Sequence, residues 1–113
     1  MSIWKLAGVQ MDCQLGAIEA NLHAICRQLE IAAANGARLV IFPECALTGY
    51  GYPSLEAAWE VGETLNGPSI QRLQAECTRL NVWAAVGFLE RDESEKQLFN
   101  GCALIGPKSE PVG

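Results

Sequence analysis

Apolar residues along this chain fall into two patterns, short dense runs and stripes spaced by three and four. Residues 3–11 (Ile-Trp-Lys-Leu-Ala-Gly-Val-Gln-Met) are apolar with loose alternation and predict a buried strand. From about Ala17 the period changes. Ile18, Leu22, Ile25, Leu29 and Ala32 form one stripe of a helix, with Glu19, Arg27, Gln28 and Glu30 on its other face. Asn35-Gly36 ends this helix, as glycine readily takes the left-handed conformation at that point. Leu39-Val40-Ile41-Phe42 is an unbroken apolar run, predicting a strand covered on both faces and stopped by Pro43. Residues 48–54, with Gly49, Gly51 and Pro53, predict a long turn-rich loop.

Asn66-Gly67-Pro68-Ser69 opens a second helix with proline near its first position. Ile70, Leu73, Cys77 and Leu80 are its stripe, and Asn81 is its cap. Residues 82–89 predict another buried strand, 90–96 a charged, solvated turn, and 98–105 a strand pairing back as a hairpin. The order β-α-β-α-β-β defines an α/β fold whose sheet is fed by right-handed crossovers. There is no internal repeat and no low-complexity tract. After the turn at 106–110, Pro111-Val112-Gly113 provides no returning strand. The expectation is therefore one incomplete domain over 1–113, with an open sheet edge and at least one uncovered apolar face.

Composition narrows the partners. Hydrophobic residues make up 50% of the chain and charged residues 19%, which excludes intrinsic disorder. Thirteen acids against eight bases leave a net charge of −5, which argues against nucleic acid or an anionic membrane as partner. No apolar run approaches the ~20 residues that span a bilayer. Met-Ser-Ile-Trp-Lys does not begin a secretory signal. The five cysteines are irregularly spaced without a C-x-x-C, and His23 is the single histidine, so no metal site is expected. Such thiols suit a reducing compartment, and the cytoplasm is the expected location.

Glu44 is the residue with the strongest claim to chemistry. It follows Leu-Val-Ile-Phe-Pro at the carboxyl end of a buried strand, where α/β sheets gather ligands and catalytic groups. Partial desolvation there would tune a carboxylate toward general-base work, while an exposed loop glutamate is the plainer alternative. Cys26, Cys77 and Cys102 lie in helix stripes or a strand and are expected to pack. Cys13 beside Asp12 and Cys45 beside Glu44 have acidic neighbours that disfavour thiolate. His23 falls on the polar side of its helix. Gly49-Tyr50-Gly51-Tyr52 lacks the spacing of a phosphate loop, so Tyr50 and Tyr52 either line a pocket at the strand end or cap the loop. Lys5, Lys96 and Lys108 have no evident placement near Glu44, and Glu90 is a second strand-end carboxylate expected to be solvated.

Taken together, Leu6-Ala7-Gly8-Val9-Gln10-Met11, Glu19-Ala20-Asn21-Leu22 and the run from Gly36 to Glu44, with Leu47-Thr48-Gly49-Tyr50, resemble the nitrilase superfamily of carbon–nitrogen hydrolases. Val86-Gly87-Phe88-Leu89-Glu90 and Phe99-Asn100-Gly101-Cys102-Ala103-Leu104-Ile105 continue the pattern in order. The resemblance covers essentially the whole chain, and its most specific part is Phe42-Pro43-Glu44 after a buried strand. It implies the N-terminal part of a four-layer α-β-β-α sandwich that forms homo-oligomers when complete. It implies a Glu-Lys-Cys triad with Glu44 as general base and Tyr50 lining the substrate pocket. No metal or organic cofactor is implied. The substrate would be a small amide, N-carbamoyl amine or nitrile, and Cys-Ala-Leu-Thr-Gly-Tyr after Glu44 leans toward the amidase and carbamoylase branches.

The lysine and cysteine of that triad have no counterpart here. None of the five cysteines stands in the nucleophile's motif, so both groups are expected beyond Gly113 and the 113 residues alone are expected to be inactive. Three other readings stay open. One is the glutaminase part of an amidotransferase, and another is a truncated, non-catalytic relative serving as an interaction or assembly module. The third, a small doubly wound ligand-binding domain, is disfavoured because no glycine-rich phosphate loop follows the first strand.

Overall fold

A computed structural model describes residues 3–113 of the chain. Seven elements follow in order: β1 (Leu6–Gly8), α1 (Ile18–Ala34), β2 (Leu39–Ile41), α2 (Leu55–Val61), α3 (Pro68–Leu80), β3 (Trp83–Asp92) and β4 (Gln97–Ile105). They build one sheet in the order β1-β2-β3-β4, with β1, β2 and β3 parallel and β4 antiparallel to β3. The structure is thus the expected mixed α/β sheet. Both crossovers step the same way across it, and crossovers of one hand then put their helices on the same face.

That covered face holds the core. Leu22, Ile25 and Leu29 of α1 meet Ile70, Leu73 and Cys77 of α3 over Val40, Ala84, Val86, Phe88, Ala103 and Ile105 of the sheet. The register explains which strand positions take part. Val86 pairs with Ala103 and Ala84 with Ile105, so even residues of β3 and odd residues of β4 point to the helices. Gly67 and Pro68 start α3, and Asn81 ends it in the left-handed region with φ 55°. The carboxylate of Glu63 supplies what Gly67 lacks by accepting from Ser69 N–H at 2.9 Å.

The opposite face is apolar and largely bare. Leu6, Leu39 and Trp83 form one row across the strands, and Gly8, Ile41, Ala85 and Leu104 the next. Leu6, Ile41 and Leu104 are 57, 45 and 41% exposed, whereas Val40 is fully buried. The strand at 39–42 is therefore covered on one face only, in contrast to its unbroken apolar sequence. Among the described residues, only the far end of this face is roofed. There Cys45, Ala58 and Leu89 pack with Tyr52, Val61 and Leu98, and the Arg91 guanidinium lies 5.3 Å from the Trp59 ring.

Several boundaries differ from the sequence pattern. β1 is only three residues long because its partner β2 is three long, and one further bond, Val9 N–H to Ile41 O at 2.9 Å, extends the ladder. The seven-residue α2 falls in the stretch after the glycine-rich loop; two turns are too few to show a periodic stripe, but Ser54 caps it through Ala57 N–H at 3.1 Å. β3 runs on to Asp92, so Glu90 is a half-buried strand residue and the hairpin turn is shorter than the charged run suggests. The chain also begins to return after 106–110, for Leu104 and Val112 exchange backbone bonds of 2.7 and 3.0 Å. Thr78 donates to Pro107 O at 2.9 Å and holds that turn against α3. No helix among the described residues is long and apolar enough to cross a membrane.

The one-sidedness of the sheet sets a stability contrast. Leu73→Ala on the covered face should lower the unfolding free energy by roughly 2–5 kcal/mol in urea titrations. Ile41→Thr on the bare face should change it by less than about 0.5 kcal/mol. Equal losses at the two positions would contradict this layering.

Candidate active site

The segment between β2 and α3 leaves the sheet and rejoins it. Phe42 N–H still bonds Ala85 O at 2.9 Å, with its ring buried in the core. Pro43, which has no N–H, ends the ladder. The chain then folds into a tight turn in which Thr48 and Gly49 N–H both donate to Cys45 O, at 3.2 and 2.8 Å. Leu47 N–H reaches back to Gly87 O at 3.1 Å, and further along Glu63 N–H bonds Leu89 O at 3.0 Å. Residues 45–49 are buried, and Cys45 takes a left-handed φ of 48°.

Two glycines permit this path. A β-carbon at Gly87 would stand 2.5 Å from Cys45 N and 2.7 Å from Pro43 O, so the turn can lie on β3 only where β3 has no side chain. At Gly49, φ is 69° and a β-carbon would meet Leu15 Cα at 2.9 Å. Asn21 fastens the turn from below. Its amide donates to Gln14 O at 2.7 Å and Leu47 O at 3.0 Å, and its oxygen accepts from Gln14 N–H at 2.9 Å. A buried amide with three satisfied bonds joins the β1–α1 loop rigidly to the turn. Tyr52 adds a second clasp, donating to Thr48 O and accepting from Gly16 N–H at 3.0 Å.

Glu44 projects from the elbow of this turn. It shares a cleft of about 370 Å³ with Met11, Asp12, Cys13, Pro43, Gly49 and Tyr50, at the carboxyl ends of β1 and β2. The structure thus brings together Glu44 and Tyr50, the two residues singled out from sequence. A wider groove of about 790 Å³ over Gly8–Met11 and Ile41–Pro43 adjoins it through Met11 and Pro43. Glu44 is exposed, not partly desolvated as its position suggested, because no described element lies above it. Its side-chain partner is Asn100 of β4, whose amide donates to Glu44 Oε1. Asn100 Oδ1 in turn accepts from the Cys45 thiol at 3.4 Å.

The two tyrosines divide the roles left open for them. Tyr52 caps the loop, while Tyr50 is 69% exposed and lines the cleft. The thiols behave as their neighbours suggest. Burial first, and Asp12 second, pushes Cys13 up; burial and then Glu44 do the same to Cys45. Burial also raises Cys26, and in the core it pushes Cys77 up to about 12. Cys13, Cys45 and Cys77 have no cation beside them, and at Cys26 burial outweighs the opposing pull of Arg72 and Arg79, so none of the four is a poised nucleophile. Cys102 is the exception to the packing expectation: it lies exposed on the bare face, opposite Gly87. Among the described residues no lysine or arginine lines the cleft. Lys5 donates to Asn35 O at 2.9 Å, Lys96 lies beside Trp59, and Lys108 borders Thr78. His23 is exposed on α1. Among the described residues no three His, Cys, Asp or Glu side chains are grouped to hold a metal ion.

Asn21, Gly87 and Asn100 carry this geometry, and pattern reading attached no role to them. A faint signal existed for Asn100, since asparagine is depleted in strands and one inside an apolar strand calls for a partner.

A strand-end glutamate thus stands in a cleft on a mixed sheet that helices cover mainly on one face. Residues 5–113 match the carbon–nitrogen hydrolase family, and the chain belongs to it. Human omega-amidase NIT2 is 30% identical over 108 residues, 95% of this chain and 37% of that protein. The protein N-terminal amidase of Schizosaccharomyces pombe is 31% identical over 113 residues, 94% of this chain and 40% of that one. An N-terminal amidase crystallised with a Gln-Gly peptide superposes with a TM-score of 0.83 over 97% of this chain and 26% of its own, at 20% identity, a likeness of fold. The nitrilase-superfamily fold expected from the sequence is thereby met. The chain spans 30 to 40% of the length of the curated relatives it matches.

Two outcomes test the site's construction. Gly87→Ala should destabilise the fold by roughly 1–3 kcal/mol in thermal or urea unfolding, because its β-carbon strikes backbone atoms that cannot rotate away. An unchanged midpoint would mean the turn does not rest on β3. In timed thiol alkylation of the native chain, Cys102 should react first and Cys45 and Cys77 last. Protection of Cys102 would show that its face is covered.

Proposed function

We propose that these 113 residues are the N-terminal part of a hydrolase of small non-peptide carbon–nitrogen bonds, with Glu44 as the general base of a Glu-Lys-Cys triad. Its lysine and cysteine would lie outside these residues, which alone would be inactive. The observation that carries this reading is the placement of Glu44: fixed at a strand end, open to a cleft, and held by its backbone turn and one amide. Family membership supports the class of reaction. The names of the amidase relatives, together with Cys-Ala-Leu-Thr-Gly-Tyr, favour amides over nitriles.

In this reading Glu44 takes the proton of the cysteine thiol as sulfur attacks the amide carbon. The carbonyl oxygen becomes an oxyanion, which the lysine stabilises. Collapse breaks the C–N bond, and the proton held by Glu44 leaves with the amine. Glu44 then removes a proton from water, whose oxygen attacks the thioester, and returns that proton to sulfur as the acid departs. Tyr50 forms one wall of the substrate cleft. No cofactor is invoked. A homo-oligomer in the cytoplasm is the assembly and location that accompany this reading.

A second reading, a non-catalytic assembly module, draws on the bare apolar face formed by Leu6, Ile41 and Leu104. The two separate in the complete protein, with ammonia release from a Gln-Gly peptide and from ω-amides of dicarboxylic acids as the assay. Glu44→Gln should lower kcat by at least ~100-fold while circular dichroism stays unchanged. Full activity in that variant removes Glu44 from the mechanism. Absence of any turnover, in a protein that lacks the lysine and cysteine, supports the assembly module.

A further inference from the structure

Beyond the triad, we infer that Asn100 is a positioning residue that aims the Glu44 carboxylate. The inference rests on the proposed role of Glu44 and adds a residue to which that reading assigns nothing. Its basis is a short relay across the outer side of β3 and β4. The Cys45 thiol donates to Asn100 Oδ1 at 3.4 Å, and Asn100 Nδ2 donates to Glu44 Oε1. The relay exists because Gly87 lets the turn settle on β3. Adjacent residues 44 and 45 then both face β4, where Asn100 stands opposite Leu89.

Each member has one sensible orientation. An amide group can present either its oxygen or its nitrogen to a carboxylate, and only the nitrogen side attracts. The thiol settles the choice from the other end. Burial and the neighbouring Glu44 charge keep Cys45 protonated, so it offers a hydrogen to Oδ1 and would oppose the flipped amide. Cys45 is 1% exposed and packed against Ala58 and Leu89, so the donor end of the relay is fixed by the core. Asn100 therefore engages Oε1 and leaves Oε2 without a hydrogen-bond partner among the described residues. A general base needs that division: one oxygen tethered for direction, one free to take the proton. Cys45, a residue with no nucleophilic character, gains a reason to sit beside Glu44.

The experiment is a double-mutant cycle in the complete protein, with Gln-Gly peptide and an ω-amide as substrates. Asn100→Leu removes both ends of the bond. Asn100→Asp keeps the shape and replaces the donor by an acceptor. Each should lower kcat roughly 100-fold, as expected for a misaimed catalytic group, with KM within about twofold of the parent. In the Glu44→Gln background the same changes should have little further effect, since a residue acting only through Glu44 is silent once Glu44 cannot act. A side chain needed merely for folding would lower activity equally in both backgrounds, and that result overturns the inference. So does parental kcat in either Asn100 variant when Glu44→Gln is inactive. Parental activity in Glu44→Gln is a different failure, of the base assignment itself, and removes the inference with it.

Discussion

The missing side chain at Gly87 is the constraint on which the rest of the site depends. Backbone atoms of Pro43, Glu44 and Cys45 occupy the space where a β-carbon would be, with separations of 2.5 to 3.0 Å from its ideal position. Because the turn rests directly on β3, Leu47 N–H can reach Gly87 O, and Cys45 can bury its thiol beneath α2 and Leu89. The same contact sets Glu44 at the carboxyl end of β2, beside the loop that follows β1. A carboxylate carried on a loop is thereby attached almost as firmly as one on a strand, which general-base chemistry requires of its geometry.

That turn belongs to a longer excursion that leaves β3 at Ala85 and returns to it at Leu89 through Glu63. Its two ends are strand-like hydrogen bonds, and Asn21 and Tyr52 lash its middle to the loop after β1. The cleft lies between these two loops at the carboxyl ends of parallel strands, the place where such sheets present binding groups. α1 and α3 cover one face because the crossovers share a hand, while the other face stays apolar and, apart from the far end under α2, open. This leaves Glu44 in solvent in the described residues. In the proposed hydrolase it would act beneath further layers of the same sandwich.

The sequence made much of this legible, for reasons that differ by element. α1 and α3 are long enough to show full stripes, and the residues of those stripes are the ones that pack. The Phe42-Pro43-Glu44 run could be placed at a strand end because proline cannot continue a parallel ladder. The strand at 39–42 misled about coverage, since an unbroken apolar run does not distinguish a face covered by helices from one left bare. α2 was hidden because seven residues span two turns. Cys102 read as packed for the same reason as Ile41: strand membership says nothing about which face is roofed. Asn21 reaches Leu47, 26 residues away, and Asn100 reaches Glu44, 56 residues away, while Gly87 receives the distant turn of Pro43, Glu44 and Cys45, and local pattern carries no information on such contacts.

The turn bearing Glu44 is held by the sheet and not merely attached to it. Native-state hydrogen–deuterium exchange at the Leu47 amide addresses this directly. Its bond to Gly87 O predicts protection comparable to the amides of β3, far above the neighbouring loop at 50–54. Exchange at Leu47 as fast as in that loop would contradict the account and leave Glu44 on a mobile segment.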